Sequence, residues 1–248
     1  RGVRRAGLVA GLPGCAANRK HPTMIPWVHI DTADIPGGEG TLRLKRRGAE
    51  FSIMLGDNEL MNSRLSGSEQ ALATLCCERL PDRPAARFLI GGLGMGFTLR
   101  AALAGLPPKG SIVVAEVTPK VIEWARGHLA SLLAGSLDDS RVSVRLGDVG
   151  ALIRSGRGAY DAILLDVDNG PEGLTRKGND ALYDRRGLAD AMTALRPGGV
   201  LSVWSSAPDE RFTRRLRDAG FAVEEMKVRA TGKGRGARHV IWLAVKRG

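Results

Sequence analysis

The sequence has no long hydrophobic run and few cysteines. Its longest apolar segments, such as 111–117 and 199–204, are far shorter than the roughly 20 residues that a membrane-spanning helix requires. We therefore do not expect a membrane protein. Three cysteines occur in 248 residues, two of them adjacent at Cys76 and Cys77. This arrangement indicates neither a disulfide framework nor a zinc site, and it favours a reducing, cytoplasmic compartment.

Acidic residues are absent from both ends of the chain. The net charge is +11, but residues 1–23 hold five basic residues and residues 226–248 hold seven, with no Asp or Glu in either segment. The body between them carries a net charge of −1. A uniformly basic surface for nucleic acid is therefore not expected. RNA binding or RNA modification through 226–248 is retained as the third hypothesis for the function.

The amino-terminal part divides into an arm and a small β unit. Residues 1–23 have no periodic apolar pattern, and the first methionine is Met24. We expect 1–23 to be a disordered or non-native arm. Residues 24–65 are predicted to form a small β-hairpin unit, because 41–44 and 50–55 alternate polar and apolar side chains.

From residue 66 to residue 248, predicted strands alternate with predicted helices. Apolar strands at 88–90, 111–116, 142–146 and 160–166 are separated by segments with helical signals. This order is typical of a doubly wound α/β fold with a mostly parallel sheet. We predict a Rossmann-like domain over 66–248 with seven strands.

Glycines and acidic residues collect where these predicted strands end, which is where open α/β sheets bind ligands. The glycine-rich turn 91–96 follows the first strand, and Glu116 ends the second. A glycine turn followed by an acid is also compatible with NAD. Asp148 and Asp166, at the ends of the next two strands, would repel a pyrophosphate. The pattern therefore favours an adenosine that carries a cationic sulfonium.

These motifs resemble the spermidine synthase family, which is a branch of the class I S-adenosylmethionine-dependent methyltransferase fold. The resemblance covers about 86–205. It rests on Ile90-Gly91-Gly92, Val114-Ala115-Glu116-Val117, Gly147-Asp148, Tyr160–Asp166 and Leu195-Arg196-Pro197-Gly198-Gly199. It implies S-adenosylmethionine or its decarboxylated form as cofactor, and no metal. The cofactor-binding residues that it implies are Gly91, Gly92, Gly94, Gly96, Glu116, Val117, Asp148, Val149 and Asp166.

The resemblance also implies individual roles. Glu116 would hold the ribose hydroxyls, Asp148 with Val149 would meet the adenine, and Asp166 would face the sulfonium. The catalytic residues that it implies are Asp166, Asp168 and Tyr183, the last as part of the acceptor pocket. Structural roles stay open: Glu116 as a solvated turn residue, Asp148 as a helix cap and Tyr183 as an anchor for the next helix.

The sequence departs from the family pattern at three points. Polyamine synthases carry an acid in the glycine turn, where Leu93 and Gly94 stand here. The second acid of their Asp-x-x-Asp-Pro motif is one position early, at Asp168, and their Tyr-His pair is missing from 66–70. We therefore favour methyl transfer to a small acceptor, with aminopropyl transfer to a polyamine as the alternative. We expect a small-molecule acceptor and consider a homodimer.

Overall fold

Two β-sheets and eight helices make up the part of the chain that the computed structural model describes, namely residues 2, 25–37, 40–80, 82–167, 170–171, 179–231 and 236–248. The arm predicted at 1–23 lies outside the described residues except for Gly2. Asp168 also lies outside them.

The first sheet is an antiparallel meander in the amino-terminal region. Its strands, in spatial and chain order, are β1 (Val28–Asp34), β2 (Thr41–Arg47), β3 (Glu50–Leu55) and β4 (Asn58–Asn62). The alternation that predicted β2 buries Leu42 and Leu44, because successive side chains of a strand point to opposite faces. The prediction of a hairpin unit did not include β4, whose two asparagines have low strand propensity.

The second sheet has seven strands and confirms the predicted fold class. They are β5 (Arg87–Gly91), β6 (Ser111–Glu116), β7 (Val142–Leu146), β8 (Tyr160–Leu165), β9 (Leu195–Ser205), β10 (Phe221–Arg229) and β11 (Arg238–Lys246). Their spatial order is β10-β11-β9-β8-β5-β6-β7, with parallel pairing from β9 to β7 and antiparallel pairing at β11 and β10. The order reverses between β5 and β8, where doubly wound sheets bind ligands.

Helices cover both faces of this sheet. They are α1 (Gly67–Arg79), α2 (Phe97–Gly105), α3 (Pro119–Arg126), α4 (Ala130–Leu133), α5 (Val149–Ser155), α6 (Asp180–Tyr183), α7 (Arg185–Ala194) and α8 (Glu210–Asp218). The sequence predicts one helix from 118 to about 133, but the structure divides it after Arg126. Gly127 takes a non-helical conformation there (φ −110°, ψ −99°), which is easier for glycine than for other residues. None of the described helices is long and apolar enough to cross a bilayer.

The basic carboxyl-terminal segment belongs largely to the sheet. Within the described residues, 226–229 lie in β10 and 238–246 lie in β11, which pair in antiparallel register. Lys246 Nζ donates to the carbonyl oxygens of Met192 and Leu195, at 2.7 Å each. Part of the basic charge in this segment therefore stabilises the end of α7.

At the end of the sheet opposite the ligand-binding edge, the fully buried carboxylate of Asp161 links neighbouring strands. It accepts from Arg83, from Arg196 Nη1 at 3.0 Å and from the Arg87 backbone N–H at 2.7 Å. A buried charge is tolerated only when it is paired and hydrogen-bonded, as this one is. The cluster joins the start of β8 to β5 and β9.

Candidate functional site

A cavity opens at the carboxyl ends of β5, β6, β7 and β8, below the amino-terminal sheet. It holds about 1210 Å³, including the space at its open mouth. Its apolar roof comes from the amino-terminal sheet and the residue that follows β1, namely Ile35, Leu42, Ile53, Leu60 and Met61. Its floor contains the glycine turn and the strand-end acids that the sequence singled out. The site predicted from strand order is therefore an open cavity between the two sheets.

The glycine turn after β5 requires its glycines. Gly92 has φ +88°, and a Cβ there would lie 2.4 Å from the Asp166 carbonyl oxygen. Gly96, the N-cap of α2, has φ +80°. Gly94 has φ +48° and faces Met61, whose Sδ would lie 3.1 Å from an added Cβ. These positive φ angles and close approaches exclude ordinary side chains and leave backbone at the cavity wall.

Gly91 has a different position from the other predicted glycines. It is the last residue of β5, and a Cβ there would lie 3.0 Å from a Val149 methyl. Of the four predicted glycines, Gly92, Gly94 and Gly96 are among the described residues that line the cavity, and Gly91 is not. Gly91 therefore allows α5 to pack close to the sheet and supports the wall from behind.

Glu116, at the end of β6, lines the cavity and is 8% exposed. Its Oε2 accepts from the Leu93 backbone N–H at 3.0 Å, and its Oε1 accepts from that of Thr118 at 2.9 Å. Burial raises the pKa of Glu116, and these backbone donors oppose the rise. Glu116 is thus not a solvated turn residue. It ties the glycine turn to β6, and its carboxylate lies at the cavity wall.

Asp148 combines a cavity position with the helix-cap role that the sequence left open. Its carboxylate accepts from the backbone N–H groups of Gly150 and Ala151, at 3.0 and 3.2 Å, and so caps α5. Asp148 also lines the cavity with the following Val149, and Val117 lines it after β6. The cap fixes the direction of the carboxylate without removing it from the ligand's reach.

Asp166 and Glu69 form a pair of carboxylates at the other end of the cavity. Asp166 directly follows β8, and its Oδ2 accepts from Thr98 Oγ1 at 2.5 Å. The same hydroxyl lies 3.3 Å from the Glu69 backbone carbonyl oxygen, so the first turn of α1 packs against Asp166. Glu69 and Asp166 both line the cavity.

Both members of this pair bind protons more tightly than ordinary carboxyls. Burial and the negative charge of Asp166 raise the pKa of Glu69 from 4.5 to about 7. Burial raises the pKa of Asp166 from 3.8 to about 6, against the hydrogen bond from Thr98. Because neighbouring carboxylates repel each other when both are ionised, the pair holds a proton near neutrality or attracts a cation.

The charged lining residues all have one sign. Among the described residues of the cavity wall, the ionisable side chains are Glu69, Glu116, Asp148 and Asp166, and none is Lys or Arg. Trp204 also lines the wall; the residue is 8% exposed, and among the described residues its Nε1 has no hydrogen-bond partner. A wall of this kind favours a cationic ligand and repels a pyrophosphate.

Two predicted catalytic residues are not brought to this wall by the described structure. Tyr183 is 2% exposed and packs edge-on against Phe212, with ring centroids 5.6 Å apart, in the core beneath α6 and α8. It is not among the described lining residues, and this placement favours the alternative of an anchor for the helix. Asp168 is outside the described residues, so its role stays a prediction.

Glu69 is the site residue that the sequence analysis missed. It stands in segment 66–70, which lacks the Tyr-His pair of the polyamine synthases. The available signal was an acid in the first turn of a helix, a position that such residues occupy for purely local reasons. No group of His, Cys, Asp and Glu that could hold a metal ion occurs in the described part of the chain.

The chain matches the model of a known protein family, the spermine/spermidine synthase domain. It covers residues 81–212, which is more than half of the chain. The matched segment contains the glycine turn, Glu116, Asp148 and Asp166. It does not contain Glu69 or the amino-terminal sheet.

Curated proteins similar to this chain have two kinds of name. Polyamine aminopropyltransferase 2 of Pseudomonas aeruginosa is 32% identical over 126 residues, which is 49% of this chain and 34% of that protein. Polyamine aminopropyltransferase of Mycobacterium tuberculosis is 33% identical, over 54% of this chain and 27% of that protein. Putrescine N-methyltransferase 1 of Nicotiana tabacum is 34% identical, over 48% and 31% respectively. The chain thus matches about a third or less of these relatives' length.

Solved structures agree on the fold. A spermidine synthase in complex with the transition state analogue AdoDATO matches with a TM-score of 0.72 and 20% identity, over 88% of this chain and 73% of that one. Spermidine synthase from Thermotoga maritima matches with a TM-score of 0.69 and 19% identity, over 88% and 72%. These similarities include the amino-terminal sheet as well as the seven-stranded one, because the coverage exceeds the family match.

Proposed function

This chain belongs to the spermine/spermidine synthase family, and on that premise we propose that it transfers an aminopropyl group from decarboxylated S-adenosylmethionine to an amine of a small polyamine. One observation carries this proposal. Glu69 and Asp166 form a pair of carboxylates in a cavity whose described wall contains no Lys or Arg.

The charge of the donor decides between the two candidate reactions. Decarboxylated S-adenosylmethionine has two positive groups, a sulfonium and a terminal ammonium, whereas S-adenosylmethionine adds a carboxylate. An anion close to Glu69 and Asp166 would be repelled, and an ammonium would be attracted. The sequence favoured methyl transfer because the glycine turn lacks an acid. Glu69 reaches the same cavity from α1 and makes up for that missing charge.

The rest of the cavity fits the nucleoside part of such a donor. Glu116 would accept from the ribose hydroxyls, while Asp148 and Val149 would contact the adenine. The turn at 91–96 would let the donor lie against backbone. When bound, the sulfonium supplies a carbon already activated for attack, so the chain's task is mainly positioning.

The acceptor must lose its ammonium proton before it attacks, and its nitrogen must lie in line with the carbon–sulfur bond that breaks. Asp166, desolvated and held by Thr98, would orient the amine, and Glu69 would take up its proton. The apolar roof and Trp204 would exclude water from the reacting atoms. A cationic acceptor is consistent with the acidic wall.

Methyl transfer to a diamine remains the second candidate, because the turn at 91–96 contains no acid and one group of relatives is named putrescine N-methyltransferase. In that reaction, backbone N–H groups at the start of α2 would donate hydrogen bonds to the carboxylate of S-adenosylmethionine.

Calorimetric titration of the protein with both donors tests the proposal. We expect decarboxylated S-adenosylmethionine to bind at least about tenfold more tightly than S-adenosylmethionine, a difference of about 1.4 kcal/mol. Glu69→Gln should reduce this preference, whereas Glu78→Gln, a change of an exposed glutamate on the same helix, should keep it. Equal binding of the two donors, or tighter binding of S-adenosylmethionine, would favour methyl transfer instead.

A further inference from the structure

A line of hydrogen bonds leads from the carboxylate pair to the carboxyl-terminal strand. Ser68 Oγ donates to Glu69 Oε2 at 2.7 Å. Ser68 Oγ also lies 2.8 Å from Nδ1 of His239, which is on β11. Ser68 is fully buried, while His239 is only partly buried. The line therefore begins at the cavity wall and ends at a side chain that reaches solvent.

The surroundings of His239 bury part of its ring. Trp204 packs edge-on against this ring, with centroids 4.8 Å apart. Burial lowers the pKa of His239. On the neighbouring strand β10, the residue directly paired with His239 is Val228.

Few charged groups share the face of the sheet on which His239 lies. From α1 the nearest is Glu69, reached through Ser68, with Asp166 beyond it. On β10 the charged side chain of this face is Glu224, which is held by Arg79 at 2.8 Å. Within the described residues, the carboxylate pair is thus the charge to which His239 is connected.

We propose that Ser68 and His239 relay to solvent the proton that the attacking amine gives up to Glu69. This proposal rests on the proposed function, but only in requiring that an amine be alkylated; it holds for an aminopropyl or a methyl group. Ser68 and His239 would act through Glu69 and are relay residues that do not touch the substrate.

The reaction releases one proton, which must leave the carboxylate pair. The acceptor ammonium loses a proton to Glu69, and its nitrogen lone pair forms a bond to the carbon next to sulfur. The carbon–sulfur bond breaks, its electron pair stays on sulfur as a neutral thioether, and the product nitrogen keeps a positive charge. One proton then remains on Glu69, and the pair must lose it before the next turnover.

The hydrogen bonds can carry that proton because each group both donates and accepts. Protonated Glu69 donates to Ser68 Oγ while the Ser68 hydroxyl proton moves to His239 Nδ1, and the imidazolium then releases a proton from Nε2. Ser68 Oγ lies within hydrogen-bond distance of both Glu69 Oε2 and His239 Nδ1, so the proton can pass without a rearrangement of the chain.

The test compares His239→Asn and Ser68→Ala with wild type, and uses His128→Asn as control because His128 is exposed between α3 and α4. In His239→Asn, the amide takes the place of Nδ1 beside Ser68 but cannot bind a proton. We measure steady-state turnover against pH with the donor and amine that wild type uses. Donor affinity is measured by calorimetry.

We expect His239→Asn and Ser68→Ala to turn over about tenfold more slowly at neutral pH, within the range that a proton-transfer group contributes. The deficit should close at alkaline pH, where the amine arrives unprotonated, and added imidazole should restore part of the rate. The double variant should be no slower than either single one, since both lie on one path. Donor affinity and the His128→Asn control should match wild type.

Two results would overturn the relay. One is a wild-type pH profile in His239→Asn. The other is a deficit of equal size at every pH, which indicates a structural role. A wild type that alkylates no amine with either donor would instead refute the proposed function, and the relay with it. An NMR spectrum of the imidazole nitrogens gives a check without turnover: Ser68→Ala should change the chemical shift of His239 Nδ1 by removing its hydrogen-bond partner, and an unchanged shift contradicts the connection.

Discussion

Replacing Glu69 with Gln should stabilise the ligand-free protein while it weakens the site. Burial and the charge of Asp166 raise the pKa of Glu69 from 4.5 to about 7 in the folded chain. Ionised Glu69 is therefore less favourable in the folded than in the unfolded state. The change in proton affinity corresponds to about 3 kcal/mol, because a tenfold change is worth about 1.4 kcal/mol. Gln has nearly the same shape and does not ionise.

The pH dependence gives the sign of this effect. A raised pKa in the folded state means that the contribution of Glu69 to stability is complete below about pH 4.5 and is lost as the pH rises through about 7. Wild type and Glu69→Gln should therefore melt together at acid pH. At pH 8 the variant should be more stable by up to about 3 kcal/mol, or roughly 6–12 °C in Tm for a chain of this size.

Thermal unfolding of both proteins across this pH range checks the prediction, with Glu78→Gln as the control for removing an exposed glutamate from α1. A variant that is less stable than wild type at pH 8 would refute the reasoning. So would a stability difference that is the same at acid and alkaline pH, because it would not come from ionisation of Glu69.

Three further substitutions test other parts of the account. Glu116→Ala should weaken binding of methylthioadenosine by about 2–4 kcal/mol in calorimetry, because it removes a charged acceptor from the proposed ribose site; unchanged affinity would remove Glu116 from that role. Gly92→Ala should cost at least about 2 kcal/mol more stability than Gly135→Ala. Both positions have positive φ, but only at Gly92 would the methyl meet a backbone oxygen, that of Asp166, and at Gly135 nothing lies within 4 Å; equal costs in denaturant unfolding would contradict this. Asp161→Asn should cost about 3 kcal/mol by leaving buried partners of the carboxylate poorly satisfied; a loss below about 1 kcal/mol would show that the cluster contributes little.

The fold was predictable because its signals are local. The six residues of β8 are all buried, as expected for the unbroken apolar segment that predicted a central parallel strand. The glycine turn and Glu116 were recognisable because a strand, a close turn and a helix leave a fixed order of residue types. The division between α3 and α4 was missed, since a single Gly127 within a helical pattern is often tolerated.

The site was only partly predictable because it depends on contacts between distant segments. Asp166 was placed correctly at a strand end, but its partner Glu69 comes from a helix nearly one hundred positions earlier and carries no recognisable motif. The resemblance to the family suggested an acceptor role for Tyr183, because the family has an aromatic residue of the acceptor pocket after this loop. In the structure, Phe212 of α8 packs against the Tyr183 ring. No local sequence pattern predicts this tertiary contact.

Identification of the product tests the central claim most directly. Purified protein is incubated with putrescine and either decarboxylated S-adenosylmethionine or S-adenosylmethionine, and the amine product is analysed by mass spectrometry. The account predicts an aminopropylated amine and methylthioadenosine from the decarboxylated donor, with no product from S-adenosylmethionine. N-methylputrescine formed from S-adenosylmethionine, with no aminopropylated product from the decarboxylated donor, would contradict it.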